Sequence, residues 1–188
     1  KAPYRMECFD ISHMQGSETV ASMVVFEGGV AKKSDYRRFK IRSAEGKPDD
    51  FKSMREVTTR RYGAPDAEMP DLIVIDGGKG QLSSALEIIR GAGHLLVPVV
   101  GLAKREEEVF REGESEPVIL PRDSQALFLI QRIRDEAHRF AITYHRRLRG
   151  KRNMVSVLDD IEGIGPKRRQ LLYEHYGELE KIKEASVE

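Results

Sequence analysis

Cysteine is almost absent: Cys8 is the only one among 188 residues. A single thiol excludes an internal disulfide framework and a thiolate zinc cluster. It stands in an apolar, strand-like run, where a free cysteine is expected to pack into a core, and such usage suits a reducing cytoplasm. Long hydrophobic runs are also missing. The longest, Leu72–Ile75 and Leu95–Val100, fall far short of the ~20 apolar residues that span a bilayer. Lys1–Asp10 has no apolar core of a secretory signal. The chain opens on Lys1 rather than Met, as expected of a piece of a longer protein. There is no internal repeat and no low-complexity tract. Nor is one sign of charge in excess: 32 Lys and Arg face 31 Asp and Glu, a net charge of +1.

Hydrophobic residues make up 39% of the chain, enough for a core, and charged residues 34%, enough for a soluble surface. The length suits one full domain, or one domain with a small appendage. The charges are not evenly spread. Arg37, Arg38, Lys40 and Arg42 form one basic cluster, Arg146, Arg147, Arg149, Lys151 and Arg152 a second, and Lys167, Arg168 and Arg169 a third. Acidic residues gather elsewhere, at Glu106–Glu108 and between Glu112 and Glu116. Local basic patches on a near-neutral protein suit a surface that tracks a nucleic-acid backbone. Solvated helix faces would give the same pattern.

Tyr4–Ile11 reads as a strand, followed by a turn at Gln15–Gly16 and a second strand over Val20–Phe26. Gly28-Gly29 is a hairpin signal. Tyr36–Ile41 alternates as a third strand, so an antiparallel meander is expected. Asp49–Tyr62 is helical by its apolar spacing, with Asp49 or Asp50 as cap. Pro65 and Pro70 break the chain before Leu72–Ile75, a wholly apolar run typical of a strand buried on both faces. A helix over Gln81–Arg90 and a strand over Val97–Leu102 complete a βαβ unit with a parallel pairing. Val109–Phe110 and Val118–Leu120 flank a small hairpin. Ser124–Leu148 is a long helix whose stripe runs Ala126, Ile130, Ile133, Ala137, Ala141, Tyr144 and Leu148. Gly150 is expected to end it, with Lys151–Asn153 as a basic linker between domains 1–152 and 153–188.

Four features can carry chemistry. Asp10 lies inside the first strand, where aspartate is rare and an unpaired buried carboxylate costs several kcal/mol. It is either a metal ligand or a residue at the strand end bonded to a turn. Asp76 directly follows Leu72–Ile75, at the carboxyl end of a strand where ligands of α/β sheets bind. It can hold a cation, or cap the helix that follows, whose N-terminus favours a phosphate. Gly77-Gly78-Lys79-Gly80-Gln81 is not a phosphate-binding P-loop, because its spacing is wrong. His138 and His145 lie roughly 80° and 60° from the centre of the long helix's apolar stripe, at 100° per residue, so geometry does not choose between them. Their separation also differs from the i, i+4 histidine pair of zinc-binding helices. The fourth feature is Gly163-Ile164-Gly165 followed by Pro166. A proline opens a helix without losing a hydrogen bond, and glycine-exposed N–H groups beside Lys167, Arg168 and Arg169 suit a phosphate contact indifferent to sequence. Two aspartates and a histidine can hold Mg²⁺ or Mn²⁺ if they converge, and such a cation can assist phosphodiester cleavage.

Several longer strings then go further. Phe9-Asp10-Ile11-Ser12-His13, Ile75-Asp76-Gly77-Gly78-Lys79-Gly80-Gln81-Leu82 and Arg134-Asp135-Glu136-Ala137-His138-Arg139-Phe140-Ala141 resemble the C-terminal half of the UvrC family, the incision subunit of bacterial nucleotide excision repair. Tyr36–Ile41 and Asp50–Arg61 resemble it as well, so the likeness spans nearly the whole chain. The resemblance implies an α/β, ribonuclease H-like mixed sheet with flanking helices, followed by a small helix-hairpin-helix segment. It implies a DNA endonuclease that cuts the damaged strand 5′ to a lesion and needs a divalent metal, Mg²⁺ or Mn²⁺. It places the catalytic and metal-binding set on Asp10, Asp76 and His138, which breaks the tie with His145. It implies double-stranded damaged DNA and UvrB as partners, with UvrA upstream, no membrane, a monomer, and a bacterial cytoplasm with the nucleoid as working place.

Against the family's pattern, a second hairpin, an amino-terminal module for the 3′ cut and a UvrB-docking segment are missing, so a partial enzyme is expected. Expected DNA contacts are Gly163, Gly165, Lys167, Arg168, Arg169, Arg37, Arg38, Lys79 and Lys104, the last placed just after the Val97–Leu102 strand. His138 is expected either to complete the metal's coordination or to act as general base, since a histidine titrates near neutrality. Three ligands suit one metal. The rival expectations are another ribonuclease H-like nuclease or recombinase, and a non-catalytic DNA-binding scaffold.

Overall fold

The computed structural model describes residues 2–13, 19–43, 49–103, 108–159, 161 and 163–185, and not the side chains of 145–157 and 159. The expected turn at Gln15–Gly16, Lys104, and the side chains of His145 and of the Arg146–Arg152 cluster lie outside the described residues. The chain divides into two compact units, Lys1–Ala141 and Ile142–Glu188.

The first unit is built on a mixed sheet. Strands β1 (Arg5–His13) and β2 (Thr19–Glu27) are antiparallel, with Cys8 opposite Val24 and Asp10 opposite Ser22. The Gly28-Gly29 turn leads into β3 (Val30–Ala31), and β4 (Arg37–Ile41) returns to the other end of the same β2 edge. Helix α1 (Asp50–Tyr62) starts at Asp49, whose side chain accepts the Lys52 N–H at 2.9 Å. Strand β5 (Leu72–Asp76) then lies parallel to β1, helix α2 (Lys79–Gly91) crosses over, and β6 (Val99–Ala103) lies parallel to β5. Strands β7 (Glu108–Arg111) and β8 (Val118–Ile119) extend the sheet antiparallel. Helix α3 (Gln125–Asp159) follows.

Both faces of the sheet are covered, which explains the near-continuous apolar strands. On one face Phe9, Ile73 and Ile75 pack with Met54, Val57 and Tyr62 of α1 and Leu82, Ala85 and Ile89 of α2. On the other, Met6, Cys8, Val24, Val74 and Leu102 pack with Ile130, Ile133 and Ala137 of α3. Strand side chains alternate between faces. Asp10 therefore shares the α3 face with Cys8, and Asp76 shares it with Val74. Cys8 is fully buried, as its apolar context led one to expect.

One expectation needs correction. Helix α3 does not stop at Gly150 but runs on to Asp159, so Lys151–Asn153 is helix rather than linker. One interior glycine costs only ~1 kcal/mol relative to alanine, and the straight-chain arginines and lysine around it are good helix formers. The strand reading also missed a buried acid: Glu7 is fully buried beneath α1, where its carboxylate accepts from Arg61, Arg5 and Tyr62.

In the second unit, α4 (Pro166–Tyr176) has Gly165 as N-cap and Pro166 in its first turn, as the sequence suggested, and α5 (Leu179–Glu184) follows. Gly163 has φ +86°, a left-handed conformation natural to glycine. The Arg168 guanidinium donates to the Gly163 carbonyl at 2.8 Å.

An acid limit is built into the first unit. The hydrogen bond from Arg5 holds the Asp35 carboxyl at about 2, below its ordinary 3.8. A depressed acid stabilises the fold above its unfolded value and loses that contribution as pH falls through the folded one. Thermal unfolding followed from pH 5 to pH 2 should therefore show the melting temperature falling between about 4 and 2, less steeply in Asp35→Asn.

Candidate metal centre

The register of two parallel strands creates the site. β1 and β5 pair with Phe9 opposite Ile75, so the next residues, Asp10 inside β1 and Asp76 at the end of β5, are neighbours across the parallel pair. Alternation turns both carboxylates to the α3 face. There His138 follows Ala137, whose side chain is fully buried against the sheet. One ligand atom from each of Asp10, Asp76 and His138 lies within 4.8 Å of the others. The carboxylates are buried, at 3% and 5% exposure. The His138 side chain is half-exposed and sets Nδ1 3.5 Å from Asp10 Oδ2. The centre is thus closed on the sheet side and open to solvent on the histidine side.

The two carboxylates bring negative charge into a buried position. Burial, and after it the charges of Asp76 and Asp10, push the neighbouring Cys8 thiol well above its ordinary value. Two buried carboxylates this close repel unless a cation or proton intervenes. Two hard oxygen donors and an imidazole nitrogen suit Mg²⁺ or Mn²⁺ rather than a thiolate-loving metal.

Surrounding contacts join the elements that carry the three side chains. Tyr36 packs edge-on against Phe140 of α3 at 5.1 Å, and its hydroxyl donates to Glu136 at 3.0 Å. Arg38 lies 3.6 Å over the Phe140 ring. These contacts clamp the start of β4 to the turn of α3 that carries His138. Behind Asp76 the chain is packed closely. A Cβ on Gly77 would come within 1.4 Å of the Gln81 side chain, and one on Gly101 within 2.9 Å of the Gly77 carbonyl. Gln81 in turn donates to Asp50 at 3.0 Å, and Asp50 meets His13 Nε2 at 2.6 Å. This chain ties the strand end that holds Asp76 to α1 and β1.

Residues 1–142 match the family model for the UvrC RNAse H endonuclease domain. The chain belongs to this family. It is 55% identical over 191 residues to UvrABC system protein C of Salinibacter ruber, covering 99% of this chain and 30% of that one. With the protein of the same name from Gloeobacter violaceus it shares 52% over 193 residues, covering 99% and 31%. The chain therefore spans about a third of these relatives' length. Among solved structures, a Ciona intestinalis endonuclease V bound to DNA is similar over 71% of this chain and 56% of that one, at 16% identity and a TM-score of 0.39.

The UvrC-family match agrees with the mixed sheet and flanking helices seen in the first unit, a ribonuclease H-like α/β fold. That fold implies a divalent cation, and the Asp10–Asp76–His138 set fits one. The other expected contacts are placed unevenly. Arg38 lies on β4 on the same face as the centre, whereas Arg37, opposite Met23, points to the other face and donates to the Ser34 and Tyr36 carbonyls. Lys79 opens α2, but its ammonium is held by the Ser115 carbonyl at 2.6 Å. Gly163, Gly165, Lys167, Arg168 and Arg169 belong to the second unit. Sequence reasoning missed Phe140 as the platform under Arg38. Its only signal was position, two residues after His138. No described helix is long and apolar enough to cross a membrane.

Proposed function

We propose that the chain is the metal-dependent DNA endonuclease portion of a UvrC-type excinuclease, cutting the damaged strand on the 5′ side of a lesion. The observation that carries this reading is the convergence of Asp10, Asp76 and His138 within 4.8 Å, on the α3 face of the parallel β1–β5 pair. Asp10 and Asp76 would hold one Mg²⁺ or Mn²⁺, and His138 would complete the set. When bound, such a cation neutralises charge developing on a phosphodiester and makes water a better nucleophile. The open side at His138 is where the phosphodiester backbone would enter. Arg38, on β4 and on the same face, would hold a flanking phosphate; Arg37, on the other face of β4, and Lys104 are proposed as further phosphate contacts.

Residues 1–152 would form the nuclease part, and 153–188 part of a helix-hairpin-helix module. The turn at Gly163 and Gly165, with Lys167, Arg168 and Arg169, supports a phosphate contact at the start of α4. Lys79 would reach DNA only after releasing Ser115. The proposed partners are damaged duplex DNA and a UvrB–DNA complex, with UvrA acting earlier. The chain would act as a monomer, in the cytoplasm at the nucleoid.

A 5′-end-labelled damaged duplex, preassembled with UvrB and incubated with the chain in Mn²⁺, should be cut 5′ to the lesion, with cutting abolished by a chelator. No cutting with the complex, or with a chain extended through a second hairpin, would favour a DNA-binding scaffold. His138→Ala separates its two roles. A ligand's loss weakens Mn²⁺ binding, whereas a base's loss leaves binding intact and slows cutting.

Phosphate contacts also make a salt prediction. Lys167→Ala should weaken DNA binding equally for unrelated sequences. It should lower the slope of log affinity against log salt by about 1. An unchanged slope would remove that residue from the interface.

A further inference from the structure

Ser22 is fully buried, and among the described residues its hydroxyl makes no hydrogen bond. It lies in the middle of β2, surrounded by Ala21, Met23 and Val24, where a buried hydroxyl is a net loss unless something uses it. Its position says what that is. Ser22 is directly opposite Asp10 in the antiparallel β1–β2 pair, and directly opposite Arg38 in the β2–β4 pair. Opposed residues of antiparallel strands share a face with Cβ atoms ~5 Å apart, and Cys8 and Val24, the next pair along, both pack in the core beneath α3. A row therefore crosses the sheet on the α3 face: Arg38, Ser22, Asp10 and then Asp76. Ser22 is the neutral donor in it, next to the carboxylate of the candidate metal ligand.

We propose that Ser22 is a positioning residue of the metal centre, its hydroxyl donating the hydrogen bond that orients the Asp10 carboxylate when a divalent cation is held. This rests on the reading of Asp10, Asp76 and His138 as the metal site. Ligating carboxylates are themselves held by hydrogen bonds from outside the coordination sphere. A serine hydroxyl reaches a new partner by rotating about χ1 alone. The residue is thus kept at the expense of the metal-free fold and for the benefit of the loaded one.

Opposite signs in two measurements test this. Mn²⁺ affinity and metal-free melting temperature are measured for the chain, Ser22→Ala, and Ser22→Thr, which keeps a hydroxyl. Ser22→Ala is expected to weaken Mn²⁺ binding about 10-fold or more. In chelator the same variant should melt no lower than the parent, or about 2–4 °C higher, because a buried hydroxyl without a partner is removed. Ser22→Thr should recover most of the affinity. Equal Mn²⁺ affinity in parent and Ser22→Ala would overturn the proposal while leaving the metal site intact. A lower melting temperature with unchanged affinity would make Ser22 a purely structural residue. If the parent itself binds no Mn²⁺, the metal-site reading fails, and this proposal with it.

Discussion

Asp76→Asn should abolish metal-dependent cutting and, in chelator, raise the melting temperature. The first effect would follow from losing one of the two buried carboxylates proposed to hold the cation. A catalytic cation contributes several kcal/mol to the transition state. At ~1.4 kcal/mol per tenfold, the expected loss of rate is about a thousandfold or more. The second effect follows from charge. With donor atoms within 4.8 Å, two carboxylates repel by on the order of 3 kcal/mol at an effective dielectric near 20. Asparagine removes that repulsion at the same volume. Asp10→Ala should likewise abolish cutting, with the fold intact. Gel assays in Mn²⁺ and calorimetry in chelator read the two effects. Retained metal-dependent cutting in either variant would remove that aspartate from the site.

Glu7→Ala is expected to act in the opposite way, on the fold and not on the chemistry. Its carboxylate accepts from Arg61 at 2.8 and 3.0 Å, from Arg5 at 3.0 Å and from the Tyr62 hydroxyl at 2.6 Å. Burial, and then Glu7, push the Tyr62 phenol well above its ordinary value, so it remains a donor. Removing one member of a buried ion pair costs about 3–5 kcal/mol. Arg5 and Arg61 keep 17% and 19% exposure, which places this case near 3 kcal/mol, since partial solvation eases the stranded charges. For a chain of this size that is a fall of roughly 6–12 °C in melting temperature. Glu7→Gln, which preserves volume and the Tyr62 bond, should fall less. Below its melting temperature the alanine variant should cut DNA at the parental rate, because Glu7 faces α1 and the metal centre faces α3. An unchanged melting temperature would contradict this reading of the cluster.

Much of the fold was legible because period and composition agree. The apolar run before Asp76 and the glycine turn after it mark a buried parallel strand and a helix start, and β5 and α2 are there. Asp10 and Asp76 each stood out alone, the first as an acid inside an apolar strand and the second as an acid directly after one. What composition and spacing could not supply was the pairing of β1 with β5, on which their convergence depends. The choice of His138 over His145 came from the resemblance, since both border the same helix stripe.

Other features were hidden for identifiable reasons. Glu7 has the alternation of a solvent-facing strand residue, and only the arginines arriving from α1 and from its own strand make it a core acid. Ser22 is one small polar residue in an apolar strand, and its meaning appears only with its cross-strand partner. The extension of α3 past Gly150 was missed because a single glycine is a weak stop signal beside good helix formers. Lys79 looked like a free cation in a glycine-rich turn, and its bond to Ser115 comes from a hairpin 36 residues further on.

The most direct test of the central claim is a crystal of the chain soaked in Mn²⁺, with anomalous diffraction measured at the manganese edge. The account predicts one peak, roughly 2 Å from a carboxylate oxygen of Asp10, a carboxylate oxygen of Asp76 and a ring nitrogen of His138. A peak elsewhere, or none at saturating Mn²⁺, would contradict it.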